Sequence, residues 1–474
     1  MDWLSLVPPL ITFAAVVLSR RVVLSLALGV AAGALAKAGW SVSGLLLMGS
    51  YLAGAASQGE NTYVLVFLVL FGGLAQLINV AGGIRGFTDF AGRWAKSERR
   101  ILLLAWAMLP ITFFDNVFRI LSVGSILEPL MDKVKGVKER LAFVLAVTSG
   151  QAIVLVPLGT AYAGYMVSLV RGNSGPAALD SGVSAYGIFL RSLMWNFFSP
   201  TMLVLSLGVS IWGIRYGKIR LAVGVREQEF TKVHREKEAY LARLPPEYPS
   251  RTANLILPLA VFLASTLFFL WNTGRARAPS FLGALGAADY SASIMTGALV
   301  TLGVTVAFFW AQKISLAEIE AHLIEGAQGV LSLLAILVLS WALSQIVRDL
   351  GFTGLITSVL ARAIPPWAVP VTLFLAGSGI SYVIGSSWAT WALLLPLGAV
   401  LAEATALNPA VVFGAVWAGG SVGDSTSPVA DLPILVSSVA KIRVADYAGS
   451  ALPFTLAGIA VSAILYVVAG LRLV

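Results

Sequence analysis

The sequence has no cysteine and only two histidines, His234 and His322. Disulfides and thiol chemistry are therefore excluded, and the two histidines are spaced too far apart to suggest a metal site. Charge is scarce as well. Only 12% of the 474 residues are Asp, Glu, Lys or Arg, against about 25% in a soluble domain. No glycine-rich phosphate loop occurs, so ATP-driven pumping finds no support. The alternating segments of about ten residues that mark a transmembrane barrel are missing too. The net charge of +9 does not point to nucleic acid, because Lys and Arg sit between apolar runs, where they orient helices against a membrane.

Apolar sequence is abundant instead. The chain is 58% hydrophobic with a mean hydropathy of +0.88, and several runs approach or exceed the roughly 20 residues that cross a bilayer. It reads as an all-α polytopic membrane protein whose first partner is the lipid bilayer. Spans are expected near 3–19, 22–38, 61–82, 139–170, 184–214, 252–273, 291–312, 329–350, 408–440 and 447–470. The first run lacks a basic n-region and a small-residue cleavage site before Arg20-Arg21, so it reads as a retained span. Residues 39–58 fit either an outer loop or a partly inserted segment. The polar stretch 215–251 reads as a cytoplasmic linker between two halves.

Two further apolar segments, 101–131 and 367–402, are each interrupted by polar residues. The first breaks at Phe113-Phe114-Asp115-Asn116 and the second at Gly385-Ser386-Ser387-Trp388-Ala389-Thr390. Basic residues flank 101–131 on both sides: Arg85, Arg93, Lys96, Arg99 and Arg100 before it, Lys133, Lys135, Lys138 and Arg140 after it. That balance favours a re-entrant hairpin opening to the cytoplasm. The motif Leu70-Phe71-Gly72-Gly73-Leu74-Ala75-Gln76 is echoed by Leu339-Ser340-Trp341-Ala342-Leu343-Ser344-Gln345. Each copy precedes a hairpin and then a polar, proline-bearing helix. Two inverted repeats are expected, a common plan in secondary transporters. Repeat one covers 59–214 (hairpin 101–131, broken helix 139–170) and repeat two 252–446 (hairpin 367–402, broken helix 408–440). Segments 1–58 and 447–474 flank them.

Four polar interruptions are candidates for an ion or substrate site. Asp115 and Asn116, at the tip of hairpin one, supply the hard oxygens that a dehydrated alkali cation needs. Thr148-Ser149-Gly150-Gln151, ahead of Pro157 and Thr160, reads as a helix break; Ser149 and Gln151 are the candidate ligands. Ser386, Ser387 and Thr390 offer neutral hydroxyls at the tip of hairpin two. The densest stretch is Gly419-Gly420-Ser421-Val422-Gly423-Asp424-Ser425-Thr426-Ser427-Pro428-Val429-Ala430-Asp431. Asp424, Ser425, Thr426, Ser427 and Asp431 are its candidates, because charge inside a membrane helix marks an ion or substrate path. Glu128 and Asp132 read as partners of Lys133, and Arg348-Asp349 as a helix-end pair. An intramembrane aspartyl protease is disfavoured: Ser421 replaces the first glycine of Gly-x-Gly-Asp and no Tyr-Asp pair occurs. No nucleophile–base pair supports another membrane enzyme.

These residues resemble the NhaC-type sodium/proton antiporter family of the broad ion transporter superfamily. Gly72-Gly73-Leu74 through Asp115-Asn116 to Pro129-Leu130-Met131-Asp132-Lys133 and Lys138-Glu139-Arg140-Leu141-Ala142 carry the first part of the resemblance. Glu325-Gly326-Ala327, Gly385 to Thr390 and the Gly-Asp-x-x-Ser-Pro-x-x-Asp block at 423–431 carry the second. It implies a homodimer with scaffold and transport domains in a prokaryotic cytoplasmic membrane. No cofactor is implied; Na+ and H+ are the transported or coupling ions. Two departures remove acids, Asn116 and Val147 standing where the family usually brings acids, and a third puts Leu432-Pro433 where it usually brings Thr-Thr. Asp424, Asp431 and Asp115 remain to hold Na+, since a buried carboxylate makes proton and cation compete. A small organic acid or amino acid as exchanged or symported solute is the alternative substrate.

Overall fold

The computed structural model describes residues 3–19, 21–80, 96–113, 115–158, 160–173, 184–213, 253–278, 280–351 and 364–473. The linker 215–251 therefore lies outside the described residues, as do Gly82, Arg85 and Arg93. Every regular element among them is a helix. Among the described residues seven helices are long and apolar enough to cross a membrane: Asn61–Ile78, Ala253–Gly274, Tyr290–Ala311, Leu331–Asp349, Pro366–Ile384, Ser387–Ala404 and Val444–Arg472. The undecided segment 39–58 carries helix Ser43–Ser57. The expected span 184–214 is not one helix. Ala185–Leu193 and Phe198–Trp212 meet at 41°, and in the bend Asn196 Oδ1 accepts from Ser199 N, in the first turn of the second helix, at 3.1 Å.

Helices Val7–Ser19, Val22–Lys37, Ser43–Ser57 and Leu331–Asp349 pack as one group. Gly59–Val80, Ala253–Gly274, Tyr290–Ala311 and Leu316–Gly329 form a second. The motif glycines explain how closely the second group closes. A Cβ on Gly72 would stand 2.7 Å from Gly326 O, and one on Gly326 would stand 2.2 Å from Gly72 O. Gln76 Nε2 then donates to Glu325 Oε2 at 2.9 Å.

The remaining helices hold the polar interruptions. Glu98–Ala107 and Asn116–Lys133 are the arms of hairpin one. The chain returns to its starting end, where Gly136 comes against Glu98 and Arg140 pairs with Glu98 at 2.8 Å. Hairpin two has arms Val369–Ile384 and Ser387–Ala404. Gly385, at φ +74°, ends the first arm in the left-handed region that glycine favours. Ser386 caps the second arm through Ala389 N.

Two broken helices cross between the hairpins. The first is Lys138–Val154 followed by Ala161–Asn173, with Pro157 in the gap. The second runs Pro409–Gly420, Val422–Thr426 and Asp431–Ala440, with Pro428 in the gap. Proline removes a donor and clashes with the preceding turn, so neither helix continues through. The second broken helix also lies on the seam of two hydrophobic cores. Phe413, Val416 and Trp417 belong to one, Ala415, Ala418 and Val422 to the other.

Several sequence expectations are corrected here. Thr148-Ser149-Gly150-Gln151 is not the break but intact helix, and the break comes after Val154, at Pro157; the Thr148 hydroxyl is accommodated within the helix by bonding back to Val144 O at 2.7 Å. Glu128 pairs with Lys138 and Lys441, each at 3.0 Å, and Asp132 with Lys138 at 2.7 Å, not with Lys133. Asp349 pairs with Lys37 at 2.9 Å, while Arg348 donates to Gly172 O. In each case the nearer charge in sequence lost to a partner brought in by packing.

Candidate functional site

The two broken helices meet at Gly150 and Asp424. A Cβ on Gly150 would touch Asp424 Cβ at 3.7 Å, so a small residue lets the helices cross at the carboxylate. Gln151 fastens the crossing. Its Nε2 donates to Ser421 O at 2.8 Å and Ser425 Oγ at 2.9 Å, and its Oε1 accepts from Ser199 Oγ at 2.8 Å. Tyr447 on the C-terminal helix adds a bond from its hydroxyl to Ser425 O at 2.7 Å.

The glycines of 419–423 serve the same closeness and are helical, not part of the break. A Cβ on Gly419 would stand 2.6 Å from Phe374 O, on Gly420 2.2 Å from Trp391 Nε1, and on Gly423 2.3 Å from Ser381 O. Ser381 Oγ donates to Gly420 O and accepts from Gly423 N, the latter at 2.8 Å. Hairpin two is thus locked onto the helix that carries Asp424.

Asp424 itself is 4% exposed, and its Oδ2 has no hydrogen-bond partner among the described residues. The buried Ser387 stands beside it, its side chain and backbone N–H facing the carboxylate, and Ser149 Oγ has no hydrogen-bond partner among the described residues. Unsatisfied buried groups of this kind are rare in folded proteins, and an isolated buried carboxylate is costly. Tyr162 closes the other side. It stands beside Ser387, within electrostatic reach of Asp424, Asp115 and Asp431. It accepts from Asn116 Nδ2 at 3.0 Å and stacks on Trp388 at 4.4 Å between ring centroids. Both hairpin tips therefore converge on the crossing.

The remaining candidates are sorted by what their polar atoms already do. Ser386 caps its helix and Thr390 Oγ1 donates to Ser386 O at 2.8 Å. Ser425 accepts from Gln151, Thr426 bonds Thr455, and Ser427 donates to Tyr382 O at 2.6 Å. These five hold the frame. Asp115 and Asn116 are half-buried, and Asp431 is exposed on the far side of the Pro428 break. Among the described residues no three Asp, Glu or His side chains gather closely enough to hold one ion, so Asp115, Asp424 and Asp431 do not form one three-carboxylate cluster.

Two residues of this region went unread in the sequence. Tyr162 gave no signal beyond its place after Pro157. Arg119 did: the apolar flank Val117-Phe118-Arg119-Ile120-Leu121 contains it, and a lone cation in such a run is a functional flag. Arg119 is fully buried and donates to Thr112 Oγ1, Ala105 O and Thr148 Oγ1.

A model of the Na+/H+ antiporter family matches residues 152–471. An uncharacterized protein of Haemophilus influenzae is 27% identical over 483 aligned positions, covering 98% of this chain and 90% of that one. The solved structure of Neisseria gonorrhoeae MtrF, described as illuminating a class of antimetabolite efflux pumps, aligns with a TM-score of 0.57 at 16% identity. It covers 92% of this chain and 85% of MtrF. The YdaH transporter of Alcanivorax borkumensis, described as having an unusual topology, aligns with a TM-score of 0.53 at 14% identity. The shares covered are 90% and 89%. At these identities the two structures bear on the fold alone.

Proposed function

The chain belongs to the Na+/H+ antiporter family and is a secondary transporter, and from that premise we propose that it exchanges sodium for protons by alternating access. The observation that carries this reading is Asp424. A carboxylate buried where two broken helices cross, with one oxygen unpartnered, needs a positive partner. A proton or a desolvated cation can take that place, and the two then compete for it. Ser387, beside both Asp424 and Tyr162, supplies a neutral oxygen. Asp431, exposed beyond the break, and Asp115, half-buried at the hairpin tip, are read as acids on the approach to Asp424.

The two halves are read as inverted repeats. Reciprocal packing supports this: the second arm of each hairpin lies against the second half of the other repeat's broken helix, Asn116–Lys133 on Asp431–Ala440 and Ser387–Ala404 on Ala161–Asn173. Homodimerisation in a bacterial cytoplasmic membrane belongs to the same proposal, and the mass of the detergent-solubilised protein tests the first part.

One observation favours a second reading, exchange or symport of a small organic solute. Trp388, half-buried and stacked on Tyr162, gives the approach to Ser387 and Asp424 an aromatic wall, a surface suited to organic groups. The deciding experiment is sodium-driven proton flux in proteoliposomes. Wild-type protein is expected to exchange and Asp424→Asn to lose at least 100-fold. Undiminished flux in Asp424→Asn removes Asp424 from the mechanism. Flux that responds to a small acid or amino acid but not to sodium favours the second reading.

A further inference from the structure

Arg119 stands on the second arm of hairpin one and is fully buried. Its guanidinium reaches three oxygens in three different places. Nη1 donates to Thr112 Oγ1 near the tip at 2.5 Å, and Nη2 to Ala105 O on the first arm at 2.6 Å and Thr148 Oγ1 on broken helix one at 2.9 Å. Each partner is a neutral oxygen. Nε makes no bond among the described residues, so the surroundings are fitted to the charge and not to the full guanidinium fork.

Both threonines are committed as acceptors. Thr112 gives its hydroxyl proton to Met108 O at 2.7 Å, and Thr148 gives its own to Val144 O at 2.7 Å. Only lone pairs are left to face Arg119. Two such hydroxyls and a carbonyl make an acceptor-only cage of hard oxygens, the ligand type that alkali and alkaline-earth cations take. In transporters, carbonyls beside interrupted helices hold such ions. Removing a guanidinium from water is expensive, and an apolar residue of similar volume often serves a core as well or better. A guanidinium buried among neutral oxygens alone marks a point that the fold has shaped to hold a positive charge.

We propose that the cage formed by Ala105, Thr112 and Thr148 is a cation site filled permanently by the charge of Arg119. The site around Asp424 is then the one that exchanges. The two are close: Thr148 and Gln151 are three residues apart on one helix, about 4.5 Å along its axis. For its consequence, this rests on the exchanger reading above. A tethered cation in the first half leaves one exchangeable charge per cycle, so one sodium ion is traded for one proton and no net charge moves.

The test separates the two ideas. Purified protein carrying Asp424→Asn, which removes the exchangeable carboxylate, is titrated with sodium chloride against choline chloride while its unfolding midpoint is followed. With Arg119 in place, sodium is expected to give no stabilisation beyond choline. Arg119→Ala added to Asp424→Asn empties the cage, and sodium should then raise the midpoint by several degrees, with potassium less effective. A sodium-specific rise while Arg119 is present overturns the proposal. So does its absence in a folded double variant. If the double variant does not fold, currents from wild-type proteoliposomes on a solid support decide: electroneutral exchange upholds the single-ion cycle and a net current rejects it. Absence of all exchange, with the thermal result intact, removes the exchanger reading alone.

Discussion

Arg119 and Asp424 are both buried, both charged and both on polar-interrupted elements, yet they are served in opposite ways. The guanidinium in hairpin one is ringed by three oxygens at 2.5 to 2.9 Å. The carboxylate in the second broken helix keeps an oxygen without a partner. A buried charge bonded on three sides is held in place even with its Nε unpartnered, since departure breaks bonds that water cannot replace. A carboxylate with an unpartnered oxygen offers its charge to a small positive species. On the proposed reading the molecule separates a fixed charge, on the second arm of hairpin one, from an exchangeable one, on the second broken helix.

The contrast breaks most severely if the fixed charge is reversed. Arg119→Glu sets a carboxylate against three acceptors, and no monodisperse folded protein is expected on size exclusion. Arg119→Ala is milder and should cost roughly 2–5 kcal/mol of stability through its cavity and bared oxygens. Asp424→Asn should leave the unfolding midpoint unchanged or higher. Equal losses for these two variants would erase the distinction between them. Gly423→Ala presses a methyl into Ser381 O and should cost about 1–3 kcal/mol. It should also lower exchange, because it displaces the helix that carries Asp424. Tyr162→Phe removes the acceptor for Asn116 and should cost about 1 kcal/mol, with flux down a few-fold. At the small end, Gly303→Ala meets nothing within 4 Å and should stabilise its helix by up to about 1 kcal/mol. Thermal unfolding in detergent reads the stability effects, and proteoliposome flux reads the rest.

Turn chemistry made much of this readable in advance. Gly385-Ser386 and Pro428 are strong punctuation, and the structure breaks its helices there. Asp424 was conspicuous because a carboxylate between apolar runs has few benign explanations. Thr148 misled for a physical reason: its hydroxyl bonds its own backbone, so a polar patch can sit in an unbroken helix. Asn196 gave no such sign inside an apolar run, although its side chain bonds Ser199 N where the chain bends. The ion pairs were beyond reach, since Glu128 finds Lys441 and Asp349 finds Lys37 more than three hundred residues away. Arg119 was readable and was missed. The resemblance drew attention to carboxylates absent at Asn116 and Val147, whereas the structure shows a cation present one helical turn from the first and bonded beside the second.

The glycine contacts along hairpin two have a mechanical meaning. From Phe374 against Gly419, through Trp391 against Gly420 and Ser381 against Gly423, to Gly385 against Val429, there is no room for one methyl group. Surfaces meshed so tightly do not slide past one another; they translate or rock together. Hairpin two and the Asp424 helix thus form one stiff carriage, and in the proposed cycle any motion that uncovers the carboxylate must move that carriage whole.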